Sequence, residues 1–186
     1  MNIPNILTLI RIILIPILII AFYIPVSWNN IITTCIFGLA AATDWLDGYL
    51  ARRWQQTTAF GAFLDPVADK LIVAVALVLL VQAHPTPWMA LPAAIIIGRE
   101  ITISALREWM AELGKRANVA VSQIGKIKTT AQMLALMMLL FHDPVFSLPI
   151  FTIGYVLLYI AAILTLWSML IYLKAALPIL LSEHKK

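Results

Sequence analysis

Four aspartates crowd into one short segment of an otherwise apolar chain. The stretch 44–70, DWLDGYLARRWQQTTAFGAFLDPVADK, contains Asp44, Asp47, Asp65 and Asp69, four of the nine acidic residues in the sequence. Asp44 and Asp47 are three apart and share one helical face; Asp65 and Asp69 are four apart and share another. Gly48 and Ala51 continue the first face with almost no side chain, and Arg52 closes it. Two antiparallel helices joined through 53–61 would bring both pairs to the same depth. One such acid could be an interfacial cap, or a partner for Arg52, Arg53 or Lys70. Four do not fit that reading, because a carboxylate at membrane depth costs up to about 2.5–3.5 kcal/mol, less near a helix end. Four repelling charges also need more compensation than those basic side chains supply. A divalent cation would provide it, and oxygen ligands without nearby His or Cys favour Mg²⁺ or Mn²⁺ over zinc or iron. Four carboxylates suit two ions better than one. Such ions can neutralise a diphosphate and stabilise a departing phosphoryl oxygen. Small residues let a nucleotide approach the helix backbone, and Arg52 can grip phosphate with its planar fork. One aspartate left free could act as a base.

The elements that must position these residues are membrane helices. Of 186 residues, 62% are hydrophobic and 12% charged, with a mean hydropathy of +0.96. Soluble domains carry about 25% charged residues, so that class is excluded. Apolar runs near the roughly 20 residues that cross a bilayer predict six spans, close to 5–24, 30–52, 62–83, 87–113, 126–142 and 148–174. The connections IPVSWNN, QAHPTPW and HDPVFSLP contain no lysine or arginine. Arg52, Arg53, Lys115, Arg116, Lys126, Lys128, Lys174, Lys185 and Lys186 occupy the alternate set. The positive-inside rule therefore predicts that both termini face the cytoplasm. Trp28 and Trp88 would mark the outer interface, Trp54 and Trp109 the inner one. The net charge of +4 is then a topology signal with some attraction for anionic membrane lipids, and it argues against nucleic acid as a partner.

Local features refine that picture. Pro66 is expected in the first turn of the third span, where a missing N–H costs little. The fourth span would run about 40 Å against a hydrocarbon core of about 30 Å. Its last third, with Arg107, Glu108 and Glu112, should emerge on the cytoplasmic side and stop near Gly114. Cys35 is alone, so no disulfide framework exists. His84, His142 and His184 are scattered at helix ends or in the tail and suggest no site. The first segment lacks the basic region and cleavage site of a secretory signal, so it is expected to be retained.

Intramembrane acids also mark ion pathways, which makes an ion transporter the alternative from another class. A transporter would spread its acids across the bilayer and often repeat its halves. Here all four aspartates lie near one face, and the sequence has no internal repeat.

The pattern Asp44-x2-Asp47-Gly48-x2-Ala51-Arg52-x8-Gly61-x3-Asp65-x3-Asp69 resembles, without departure, the signature of the CDP-alcohol phosphatidyltransferases. At usages of about 5–7% per residue, eight fixed positions match by chance on the order of once in 10¹⁰ starts. The likeness continues through IPNILTLIRIILIP, FGAFLDPVADKLIVAVAL and GREITISALREWMAELGK. Those flanks are similar to the bacterial branch that joins CDP-diacylglycerol to sn-glycerol 3-phosphate. The resemblance implies an all-α integral membrane protein: a six-transmembrane-helix bundle forming one domain over 1–186. It also implies a homodimer in the bacterial inner membrane, with its site on the cytoplasmic side. Asp44, Asp47 and Asp65 would bind Mg²⁺ or Mn²⁺, with Asp69 as proton acceptor and additional ligand. Gly48, Arg52 and Thr58 would contact the CDP-lipid, with Pro4 and Asn5 against the nucleotide.

The acceptor's phosphate needs separate cations. Arg107, Lys126 and Lys128 at the inner surface are candidates, with plain positive-inside charge as the bland alternative. Arg99 is a deeper candidate, about 18 Å along the helix from Pro87, partnered by Glu100 or by the aspartates. Arg11 reads equally well as a snorkelling anchor. Serine or inositol phosphate would be the alternative acceptors within the family, and serine would have no use for the basic group.

Overall fold

Within lipid, every backbone N–H and C=O must find its partner inside the protein, so the apolar runs fold as helices. The computed structural model describes residues 3–54, 59–112 and 123–183. They form six helices: α1 Ile3–Tyr23, α2 Asn29–Trp54, α3 Ala59–Ala83, α4 Pro87–Glu112, α5 Gln123–Phe141 and α6 Ile150–Glu183. These lie within a few residues of the expected spans, except that α6 continues beyond 174. Three of them contain segments long and apolar enough to cross a membrane: Asn5–Tyr23, Pro87–Glu112 and Ile150–Leu177. Large apolar side chains such as Ile20, Val78, Ile163 and Trp167 point outward from the bundle. This is an all-helical membrane protein.

The helices close a ring in the order α1, α2, α5, α6, α4, α3, and α3 also touches α2 and α5 across it. Leu18, Phe37, Ile72, Leu77, Leu80, Met89, Ile96, Leu136, Leu139 and Leu158 fill the centre. Helices α5 and α6 approach closely at Gly154: a Cβ there would lie 2.8 Å from Cβ of Met138 and 3.2 Å from the Ala135 carbonyl oxygen. Small residues permit such approach between membrane helices.

Prolines shape the helices locally. Thr86 caps α4, its hydroxyl accepting from the Met89 N–H at 3.3 Å, with Pro87 at the first helical position. Pro92, inside α4, has no N–H to offer the carbonyl four residues back. That carbonyl, of Trp88, instead accepts from the Tyr159 hydroxyl at 2.8 Å, tying α4 to α6. Pro66 departs from its expected place. Because α3 begins at Ala59, Pro66 is interior rather than in the first turn, and it has no N–H to offer the carbonyl four residues back.

At the opposite end of the bundle from the aspartates, His142 stops α5 in a left-handed conformation (φ 63°). Its ring stacks on His84 at 5.5 Å, and both lie against Phe151. The histidines thus have a packing role that their spacing did not suggest. His184 lies outside the described residues.

Candidate active site

Helix α1 packs on both α2 and α3, and its polar residues reach the aspartates of each. The Thr8 hydroxyl donates to Asp65 on α3. Arg11 forms ion pairs with Asp44, at 3.0 Å, and with Asp47, both on α2. Arg11 is wholly buried and Asp47 nearly so, whereas Asp44 is partly open to solvent. Asp44 and Asp65 lie close enough to Asp47, and Asp44 close enough to Asp69, for their charges to act on one another. The expected meeting of the two aspartate pairs therefore occurs, with a cation from α1 among them.

The donor set fits a hard divalent ion: four carboxylates and a hydroxyl, all oxygen. As the side chains stand, no three His, Cys, Asp or Glu among the described residues surround a single point. The carboxylates on α2 are turned onto Arg11 instead. That corrects the charge count made from Arg52, Arg53 and Lys70, which omitted Arg11, a cation buried among the acids. Gly48 lies one residue beyond Asp47 on α2, and Asn5 is buried on α1 one turn before Thr8. Thr58 lies outside the described residues, and for Pro4, Arg52 and Lys126 only the helical backbone is described.

Beside the aspartates, a cavity of about 210 Å³ is lined by Asp69, Lys70, Arg99, Glu100, Arg107, Lys128, Thr129, Gln132, Ser168 and Tyr172, with Val73 and Met133. It gathers three of the four expected acceptor-phosphate residues, Arg99, Arg107 and Lys128, on one space with Asp69. One carboxylate oxygen of Glu100 pairs with Arg99 at 3.0 Å and with Lys128 at 2.8 Å. Arg99 also donates to the Ser168 hydroxyl at 3.2 Å. The Arg107 guanidinium donates to the Tyr172 hydroxyl at 2.7 Å and lies 5.1 Å from the centre of its ring. Lys70 donates to Ser104, whose hydroxyl donates to the Glu100 carbonyl at 2.6 Å.

Lys128 is buried, which a purely topological charge would not be. Of the two partners proposed for Arg99, the structure selects Glu100. Sequence reasoning missed Thr8 as a site residue, and Ser168 and Tyr172 on α6. The spacing of Asn5, Thr8 and Arg11, three apart along a helix otherwise made of apolar residues, was the signal available for the first.

The chain is similar to known proteins over nearly its whole length. The family model for CDP-alcohol phosphatidyltransferase matches residues 1–167. A CDP-diacylglycerol–glycerol-3-phosphate 3-phosphatidyltransferase of Escherichia coli (strain K12) is 58% identical over 182 residues, covering 98% of each chain. The protein of the same name from Pseudomonas fluorescens is 59% identical, over all of this chain and 95% of its own. The Shigella flexneri counterpart (serotype 5b) is 58% identical over 98% of both. With the aspartate pattern complete and the match running nearly end to end, the chain belongs to the CDP-alcohol phosphatidyltransferase family.

Proposed function

We propose that this enzyme transfers the phosphatidyl group of CDP-diacylglycerol to sn-glycerol 3-phosphate, giving phosphatidylglycerol phosphate and CMP. The observation that carries this reading is the shared cavity. Asp69 opens onto the same space as Arg99, Arg107 and Lys128, so a proton acceptor and phosphate-binding cations face one small molecule. The cavity is small, about 210 Å³. That suits a compact phosphorylated alcohol. Serine, which carries no phosphate, would leave the cations without a partner.

In this reading Asp44, Asp47, Asp65 and Asp69 hold Mg²⁺ or Mn²⁺. Bound there, such ions would neutralise the diphosphate of the donor and the charge developing on the departing CMP. Gly48 leaves the helix surface open to the nucleotide, and Arg52, Thr58, Pro4 and Asn5 complete its binding. Arg99, Arg107 and Lys128 orient the acceptor through its phosphate. Asp69 takes the proton from the acceptor hydroxyl, whose oxygen attacks the lipid-side phosphorus while the bond to CMP breaks. Holding both substrates in one site supplies much of the acceleration by orientation alone.

The charge pattern supports six spans with both termini in the cytoplasm of a bacterial cell, and the site at the inner face of its inner membrane. Cysteine labelling from outside, in a Cys35-free background, should then reach 25–29 and 84–87 but not positions near Lys185. The homodimer rests on the family resemblance, and sedimentation in detergent tests it. For the activity itself, purified protein is incubated with CDP-diacylglycerol, Mg²⁺ and each acceptor in turn. CMP release with glycerol 3-phosphate alone is expected; equal release with serine overturns the assignment.

A further inference from the structure

Among the described residues, Arg11 is the largest side chain that is completely buried. It sits about two turns into α1, where a guanidinium stripped of water must be paired to be tolerated. Its pairs are Asp44 and Asp47, while its Nε is buried with no hydrogen-bond partner. Those two aspartates are also among the four assigned to the divalent cation. Arg11 holds one oxygen of each carboxylate, Asp44 Oδ1 and Asp47 Oδ2. A divalent cation taking the same two acids would face a like charge at close range, which repels strongly.

We propose that Arg11 is a resident counter-ion: it holds the α2 aspartates beside α1 before a divalent cation arrives, and yields them when one binds. The inference rests on the metal reading above for its second half only. The first half follows from burial and charge, since Asp47 without Arg11 would be a nearly inaccessible carboxylate among other acids. An anchor that snorkels to the interface would expose its charged end, and Arg11 exposes nothing.

The test compares the full chain with Arg11→Met, which keeps comparable bulk and removes the charge. Mn²⁺ binding is read from the spectrum of the free ion by electron paramagnetic resonance in detergent, and stability from thermal unfolding in chelator. Arg11→Met should bind Mn²⁺ about tenfold more tightly or better, since the ion no longer competes with a resident charge. In chelator it should melt lower than the native chain, and Asp47→Asn added to it should restore part of the loss. Equal or weaker Mn²⁺ binding by Arg11→Met would overturn the inference and make Arg11 a support of the metal site. So would an Asp47→Asn addition that lowers the melting temperature further in chelator. If Arg11→Met does not fold, Arg11→Gln is used. It keeps a polar side chain but removes the charge, so it should still bind Mn²⁺ more tightly than native, and equal or weaker binding counts against the proposal. Absence of Mn²⁺ binding to the native chain is a different result: it removes the metal reading and the displacement with it. The counter-ion role is then decided by the melting temperatures in chelator alone.

Discussion

Lys128→Met tests the acceptor cavity with a magnitude that the structure itself adjusts. A charge-assisted contact to phosphate is worth about 1.5–3 kcal/mol. In the free protein, however, Lys128 Nζ already lies 2.8 Å from Glu100 Oε1, so acceptor binding exchanges one anionic partner for another. Because Glu100 already meets part of that need, the expected net loss is about 0.5–2 kcal/mol, or roughly 2- to 30-fold in acceptor affinity. The assay is CMP release at saturating CDP-diacylglycerol with glycerol 3-phosphate varied, then the reverse. KM for glycerol 3-phosphate should rise within that range, with KM for the CDP-lipid nearly unchanged. Glu100→Gln, which removes the anion that Lys128 must leave, should move the acceptor KM the other way. If Lys128→Met weakens both substrates equally, or neither, the cavity is not the acceptor's, and Lys128 serves only to neutralise Glu100.

Other outcomes follow from single contacts. Asp69→Asn should lower kcat by about 10²–10⁴-fold, and any loss of CDP-lipid affinity from the missing ligand should be recovered at saturating Mg²⁺ while kcat is not. Gly154→Ala should destabilise the bundle by about 1–3 kcal/mol, because the new methyl meets Met138 and the Ala135 carbonyl; an unchanged melting temperature in detergent would contradict the close α5–α6 approach. Burial, and then the charge of His142, hold the His84 pKa below its ordinary 6.5. Protons therefore favour the unfolded chain: the His84 contribution to stability is fully present above pH 6.5 and lost as pH falls through the lowered folded value. Melting temperatures should drop between pH 7.5 and 5, and less steeply in His84→Gln.

What the sequence made legible was what repeats locally. Asp44 with Asp47, and Asp65 with Asp69, announce themselves because helical spacing converts three or four residues into one face. The same holds for the helix ends, where apolar runs give way to turn residues such as Pro87. Arg11 and Thr8 were harder, because each is a lone polar side chain on an apolar helix. Their partners are distant in sequence, with Asp47 and Asp65 lying 36 and 57 positions away. Arg107 and Tyr172 are separated by 65, and no local period connects α4 to α6. The count of cations near the aspartates was incomplete for this reason: it took neighbours in the chain, and Arg11 comes from another helix. Pro66 was misplaced by a smaller cause. Ala59, Phe60 and Gly61 extend α3 about one turn earlier than the apolar run suggested, which moved the proline from the first turn to the interior.

The central claim is that the acceptor hydroxyl oxygen becomes bonded to the lipid-side phosphorus while CMP leaves. Glycerol 3-phosphate labelled with ¹⁸O in the attacking hydroxyl, incubated with the purified protein, CDP-diacylglycerol and Mg²⁺, tests it most directly by mass spectrometry of both products. The label should appear in the new phosphorus–oxygen–carbon bridge of phosphatidylglycerol phosphate, with CMP unlabelled and formed in equal amount. Label in CMP, or a lipid product that has lost it, would contradict the account.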